Sequence, residues 1–203
     1  MTRQPVSIVL GCVFFQGFLS MGFQLVASRL LAPFFGTTII VWAFLISTFL
    51  AAFSAGSFIG GALSRLPMRR KINALVILGV AGAAGFAVAA FLGRSLLRYL
   101  DLTFTDATPG IFIACMLLFF LPVIALSSLL PVYADLVGKD RGAGLSSGLV
   151  YGTSTFGNIA GVILTAFALI PNFPTSELLI GWFAASTFCF AAAPVLVRGS
   201  LAA

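Results

Sequence analysis

Residues 38–63 read TIIVWAFLISTFLAAFSAGSFIGGAL, without one charged side chain. Crossing about 30 Å of hydrocarbon as an α-helix takes roughly 20 apolar residues, so this stretch predicts a transmembrane helix. Directly after it come Ser64 and the basic cluster Arg65-Leu66-Pro67-Met68-Arg69-Arg70-Lys71. Clustered Lys and Arg beside a span mark its cytoplasmic end. Outward from this helix, five further runs of similar size cover about residues 5–28, 72–93, 110–134, 144–170 and 176–197. The first stays apolar too long for a signal-peptide core, and no small-x-small cleavage site follows it, so it reads as a retained helix. The alternation of a membrane β-barrel is absent, and barrel strands would be about half this length. The expected fold is an all-α, polytopic transmembrane helical bundle of six spans, one domain over residues 1–203.

The composition agrees. Of 203 residues, 61% are hydrophobic and 8% charged, against about 25% charged in a soluble domain. The formal net charge is +6, but the basic residues sit in short connections rather than in a patch, which excludes a nucleic-acid partner. The chain has no His, hence no imidazole base, His-ligated metal or Ser-His triad. Cys12, Cys115 and Cys189 each lie in an apolar run without a CxxC partner and read as small buried hydrophobes. No catalytic residue, metal or cofactor is expected.

Loop charges set the orientation. On one side fall Arg3, Arg65, Arg69, Arg70, Lys71, Lys139, Arg141 and Arg198; on the other, Arg29, Arg94 and Arg98. Eight against three places both termini in the cytoplasm of a bacterial inner membrane. The Arg65–Lys71 cluster reads as a topology signal at the lipid surface, or as a docking site for a soluble partner. The longest stretch outside the membrane is expected at residues 94–109, carrying Asp101 and Asp106.

Helices in lipid gain little from apolar contact with one another, so small residues mark their packing faces. Span 2 offers Gly56 and Gly60, with Gly61 beside them; span 5 offers Gly148-x-x-x-Gly152 and Gly157-x-x-x-Gly161. At about 100° per residue, Gly144, Gly148 and Gly152 share one face of span 5, and Gly157 and Gly161 another. Between them lie Ser147, Tyr151, Ser154, Asn158 and Thr165. That pattern predicts a helix wedged between neighbours with its polar stripe turned inward, either packing or lining a ligand path. Ser47, Ser54, Ser57 and Gly61 form a weaker stripe on span 2. Spans 2 and 5 would be the middle helices of a three-plus-three inverted repeat, a common transporter plan; the internal similarity sets Ser57–Gly61 against Thr155–Asn158. Pro122 and Pro131 predict kinks in span 4. No acidic or basic residue falls near the middle of a span, unlike the pattern of proton- or sodium-coupled carriers. Arg29 and Glu177 come nearest, at span ends, where Arg29 can snorkel to the headgroups.

Two segments carry a resemblance. Span 1 runs into Ala27-Ser28-Arg29-Leu30-Leu31-Ala32-Pro33-Phe34-Phe35-Gly36-Thr37, followed by Val41-Trp42. Later comes Tyr151-Gly152-Thr153-Ser154-Thr155-Phe156-Gly157-Asn158-Ile159-Ala160-Gly161, closing with Leu169-Ile170-Pro171. Both resemble the membrane half of the fused major-facilitator/spermidine-synthase family, the first in its RLLAP segment and VW pair, the second in its Gly-rich fifth helix. Members of that family carry a cytoplasmic aminopropyltransferase-like domain after the membrane part. The sequence here ends at Ala203, six residues past span 6, so the resemblance implies no synthase activity and points to a separate soluble synthase-like enzyme as one partner. The family often has Glu five residues before the RLLAP arginine, where this chain has Gln24. Gln24 removes the anionic group that a polyamine would need at a low-dielectric site. In the RLLAP segment, Pro33 is expected to stop or bend the helix, Gly36 to permit the turn, Trp42 to anchor span 2 at the interface, and Arg29 to sit on the corner as an anchor or an anion contact.

Two functions follow. One is a non-catalytic membrane subunit, surrounded by membrane lipids, that binds and stabilises or positions another membrane protein or complex. The other is a small transporter, or half of one acting as a homodimer, for an uncharged or lipophilic solute. On the first, Gly157→Leu or Gly161→Leu should release the partner with the fold intact; on the second, apolar replacement of Asn158 or Tyr151 should stop flux.

Overall fold

The computed structural model describes residues 6–138 and 142–199. Pro5 of the first expected span and the basic residues Arg3, Lys139 and Arg141 lie outside the described residues. Six helices are long and apolar enough to cross a membrane: α1 Val6–Phe35, α2 Ile39–Ser64, α3 Met68–Thr103, α4 Ala107–Gly138, α5 Ala143–Asn172 and α6 Thr175–Gly199. The protein is an all-α, multi-pass integral membrane protein, and no strand occurs among the described residues.

Two ends differ from the sequence expectation. Pro33 does not stop α1, which runs on to Phe35 and ends at Gly36, where φ is +73°. A proline removes only its own N–H bond, and Gly36 N–H closes the last turn on Ala32 O at 3.0 Å. Arg29 therefore lies inside the helix, exposed and without a carboxylate partner among the described residues, rather than on a corner. The second is at residues 94–109, the stretch expected outside the membrane, which is mostly helical. Helix α3 continues to Thr103, and only residues 104–106 separate it from α4. Its final turns bury Gly93, Leu97 and Leu100 and turn Arg94, Arg98 and Asp101 outward. Amphipathic spacing holds a helix together beyond the hydrocarbon, and Asp106 caps the next one by accepting from Thr108 N–H at 3.0 Å.

Helix α4 is the most enclosed of the six and α5 the least. Packing follows a pattern that survives exchange of the first three helices for the last three. The α1–α5 seam corresponds to α4–α2, α1–α6 corresponds to α4–α3, and α3–α6 maps onto itself. Glycines mark the equivalence. A Cβ at Gly157 or Gly161 would meet the backbone carbonyl of Phe14 or Phe18 on α1, and one at Gly60 the carbonyl of Ser128 on α4. Gly56 abuts Ser127 and the Ile124 carbonyl. The register that packing gives thus pairs Gly56 and Gly60 with Gly157 and Gly161, three residues away from the match of Phe58 to Phe156 that sequence similarity suggests. Gly61 meets open space.

Three helices contain one π-helical turn each: Val88–Leu92, Met116–Phe120 and Thr165–Leu169. The second precedes Pro122, and the break at Ser128 precedes Pro131, so each proline of α4 sits beside a local departure from α-geometry. The core is aromatic. Phe23 lies between Phe86, Phe119 and Phe49, with ring centroids at 4.6, 5.7 and 5.9 Å.

Candidate functional site

Helix α5 is packed along one side only. Ser146, Val150, Ser154, Gly157, Gly161 and Thr165 are buried, whereas Gly144, Gly148 and Gly152 meet nothing within 4 Å of a built Cβ. The expectation of a helix wedged between two glycine faces is corrected on this point. Gly157 and Gly161 lie against the α1 backbone, where Gly17 answers them by facing Ser154 O and Asn158 N, and the other three line an uncovered strip. Geometry accounts for the difference. A four-residue spacing of glycine permits close approach, but the approach happens only where another backbone lies opposite.

The polar stripe divides in the same way. Ser154 and Thr165 are fully enclosed; Asn158 and Ser147 are half-buried; Tyr151 is 42% exposed. Asn158 Oδ1 and Thr165 Oγ1 are buried and accept or donate no hydrogen bond among the described residues. Gln16 Oε1, Tyr133 OH and Ser186 Oγ share that condition. Such orphaned groups cost about 1–3 kcal/mol each, and the five lie on α1, α4, α5 and α6. Gln16 keeps one bond, its Nε2 donating to Leu126 O at 2.6 Å. On α2 the enclosed polar side chain is Thr48. Ser47 and Ser54 face outward and Ser57 is half-buried, so the expected span 2 stripe is not an inward one.

Toward the end that carries Arg65–Lys71 and Arg198, a recess of about 390 Å³ opens between α2, α4 and α5. Ser64, Asp135, Ser146, Ser147 and Tyr151 give it a polar lining. Lys71 Nζ donates to Asp135 Oδ2 at 2.8 Å, and the two side chains are 6% and 39% exposed. The sequence placed Lys71 with the surface cluster; the structure instead buries it as a tie between α3 and α4. Nothing in its local sequence separates it from Arg69 and Arg70, which are exposed.

The remaining expected residues stay apart from this site. Gln24 is half-buried and makes no side-chain hydrogen bond among the described residues, and Pro33 is exposed. Trp42 is half-buried in the first turn of α2, whose start Thr38 caps by accepting from Val41 N–H at 3.4 Å. Cys115 and Cys189 are buried and Cys12 is half-buried, all as free thiols. Among the described residues no group of three His, Cys, Asp or Glu side chains is placed to hold a metal ion. Sequence reading missed Gln16 and Trp182. The signal for Gln16 was one amide inside an apolar run, four residues from Cys12 and from Ser20. Trp182 donates its indole N–H to Leu19 O at 2.9 Å.

No protein-family model, curated protein or solved structure matches the chain. What its own residues define is a six-span membrane protein with a one-sided fifth helix.

Proposed function

We propose that the chain is a non-catalytic integral membrane subunit that binds a partner protein or membrane complex and stabilises or positions it. The uncovered strip on α5 carries this reading. Gly144, Gly148, Tyr151, Gly152 and Thr155 lie exposed on one face, small or polar where the far half of the same helix presents Phe156, Ile159, Ile163 and Phe167 to its surroundings. Lipid is best met by bulky apolar side chains, whereas a glycine strip offers backbone for another helix to approach. With both termini in the cytoplasm of a bacterial inner membrane, as the loop charges imply, the strip lies in the cytoplasmic half of the bilayer. The resemblance to the fused major-facilitator/spermidine-synthase family adds a separate soluble synthase-like enzyme as a second partner for the Arg65–Arg70 surface.

The test is purification of the tagged protein from its native membrane in mild detergent, with mass spectrometry of what co-elutes at stoichiometric level. The residue to change is Gly148 rather than Gly157 or Gly161, because the latter two are inside the fold. Gly148→Leu should lose the partner while the six helices stay assembled. A wild-type protein that elutes alone, or a Gly148→Leu variant that keeps its partner, refutes the reading.

The polar recess favours a second reading, a small transporter or homodimeric half-transporter for an uncharged or lipophilic solute. Ser147 and Tyr151 line the recess, and the same helix leads on to Ser154 and to the unpartnered Asn158 Oδ1. Asn158→Leu should then abolish solute flux in proteoliposomes with assembly unchanged.

A further inference from the structure

At the end of the bundle opposite the basic cluster, the outer faces of α1 and α6 and the last turns of α5 enclose an apolar crevice of about 390 Å³. This volume falls in the range of small-molecule sites. Its wall is a ladder of aromatic rings. Phe15 and Phe18 stack at a centroid distance of 6.3 Å with planes 4° apart, and Phe18 and Trp182 at 6.2 Å and 16°. The ladder is held rigidly. The indole N–H of Trp182 is tied to Leu19 O, and the ring packs against Gly22, where a Cβ would come within 2.6 Å of it. Leu169, in the π-helical turn of α5, closes one side.

One charged group lines the crevice: Glu177, in the first turn of α6, exposed and without an ion-pair partner among the described residues. An acid in a first turn is favoured by the helix dipole, and that alone would make no site. Here it stands above an aromatic-walled cavity. From Glu177 to Ala185, which lines the deep end, is eight residues of α6, or about 12 Å along the helix. Headgroup-level charge above an apolar tail slot is the layout of a membrane amphiphile lying parallel to the helices. A single carboxylate with no basic residue in the lining selects a net positive head over a zwitterionic or anionic one.

We propose that this crevice binds a monocationic amphiphile, an alkyl- or aryl-substituted ammonium ion, with its apolar tail along Phe15, Phe18 and Trp182 and its cation at Glu177. The site is separate from the α5 strip and does not rest on the subunit reading.

The full chain carries two tryptophans, Trp42 and Trp182, so Trp42→Phe leaves Trp182 as the only reporter. In that background, in phosphatidylcholine vesicles, decyltrimethylammonium should change Trp182 emission saturably. Glu177→Gln should weaken the binding about tenfold, and decylphosphocholine and decyl sulfate should bind at least about tenfold more weakly than the cation. Gly181→Phe should abolish binding. A Cβ at Gly181 meets nothing within 4 Å, so the ring fills the crevice without disturbing the helix. Absence of a saturable signal, an unchanged affinity in Glu177→Gln, or equal binding of decylphosphocholine would overturn the proposal, the last by showing a general lipid crevice.

Discussion

The two halves of α5 carry the same sequence signature and different fates. Gly157 and Gly161 are pressed onto the carbonyls of Phe14 and Phe18, while Gly148 and Gly152, at the same spacing nearer the basic end, face open space. A pair of glycines four residues apart states that close approach is permitted. Whether a helix takes up the offer depends on what the tertiary fold brings opposite. In the packed half that is α1; in the open half the chain itself supplies nothing, so the permission stands unused within this chain.

The most direct way to break this comparison is one substitution in each half. Gly157→Leu forces a branched side chain into the Phe14 backbone, which cannot yield as a side-chain tip could. It should cost at least about 3 kcal/mol and show as loss of monodisperse protein after detergent extraction. Gly148→Leu should stay within about 0.5 kcal/mol of wild type in thermal unfolding. If both behave alike, the two faces are not different. The equivalence of the seams gives a second test of similar size. Gly60→Leu on α2 meets the Ser128 carbonyl and should destabilise about as much as Gly157→Leu. A mild Gly60 variant would show that the resemblance of the two seams stops at their outline.

Most of the fold was legible because hydrocarbon thickness is a severe constraint. Five uncharged runs of sufficient length and a sixth whose one charge, Glu177, stands at its start leave few alternatives, and the helices contain the expected runs almost throughout. The end of α3 was the harder one to place. The apolar run of span 3 ends at residue 93, before Arg94, Arg98 and Asp101, but charge ends only the apolar environment; the helix continues while Leu97 and Leu100 have a core to face. The site was less legible. Inward placement of Ser154 and Thr165 followed from periodicity on one helix, but the open state of Gly144, Gly148 and Gly152, and the burial of Lys71, depend on which helix lies opposite. That information is not local to any stretch.

The recess beside the open half sharpens the comparison through an asymmetric pair. Lys71 is almost fully enclosed, whereas Asp135 is 39% exposed at the side chain and lines the recess. Asp135→Ala leaves an enclosed ammonium without its partner and should cost about 2–3 kcal/mol. Lys71→Met leaves a carboxylate that water can still reach, fills the enclosed space with a side chain of similar length, and should cost about 1 kcal/mol or less. Chemical or thermal unfolding in one detergent would rank them, and the reverse order would place the burden of the tie on the wrong partner.

A small effect of the opposite sign belongs to the packed half, at Thr165. Its hydroxyl is fully enclosed and unbonded, beside Gly22 and Trp182, with Oγ1 2.7 Å from the position of a Cβ built on Gly22. Replacing a hydroxyl by a methyl of the same shape removes a desolvated polar group without opening a cavity, so Thr165→Val should leave stability unchanged or raise it by up to about 1 kcal/mol. The same substitution separates the two functions. In a subunit the packed half serves only to hold α5 against α1, and a slightly tighter seam changes nothing about the partner bound at Gly148. In a carrier whose solute follows the polar side of α5, the hydroxyl is one of the groups that would receive it. Proteoliposome flux should then fall in Thr165→Val while unfolding moves in the stabilising direction. A loss of stability instead would mean that Thr165 Oγ1 makes a bond in the folded protein, and that the packed half of α5 is held by more than its glycines.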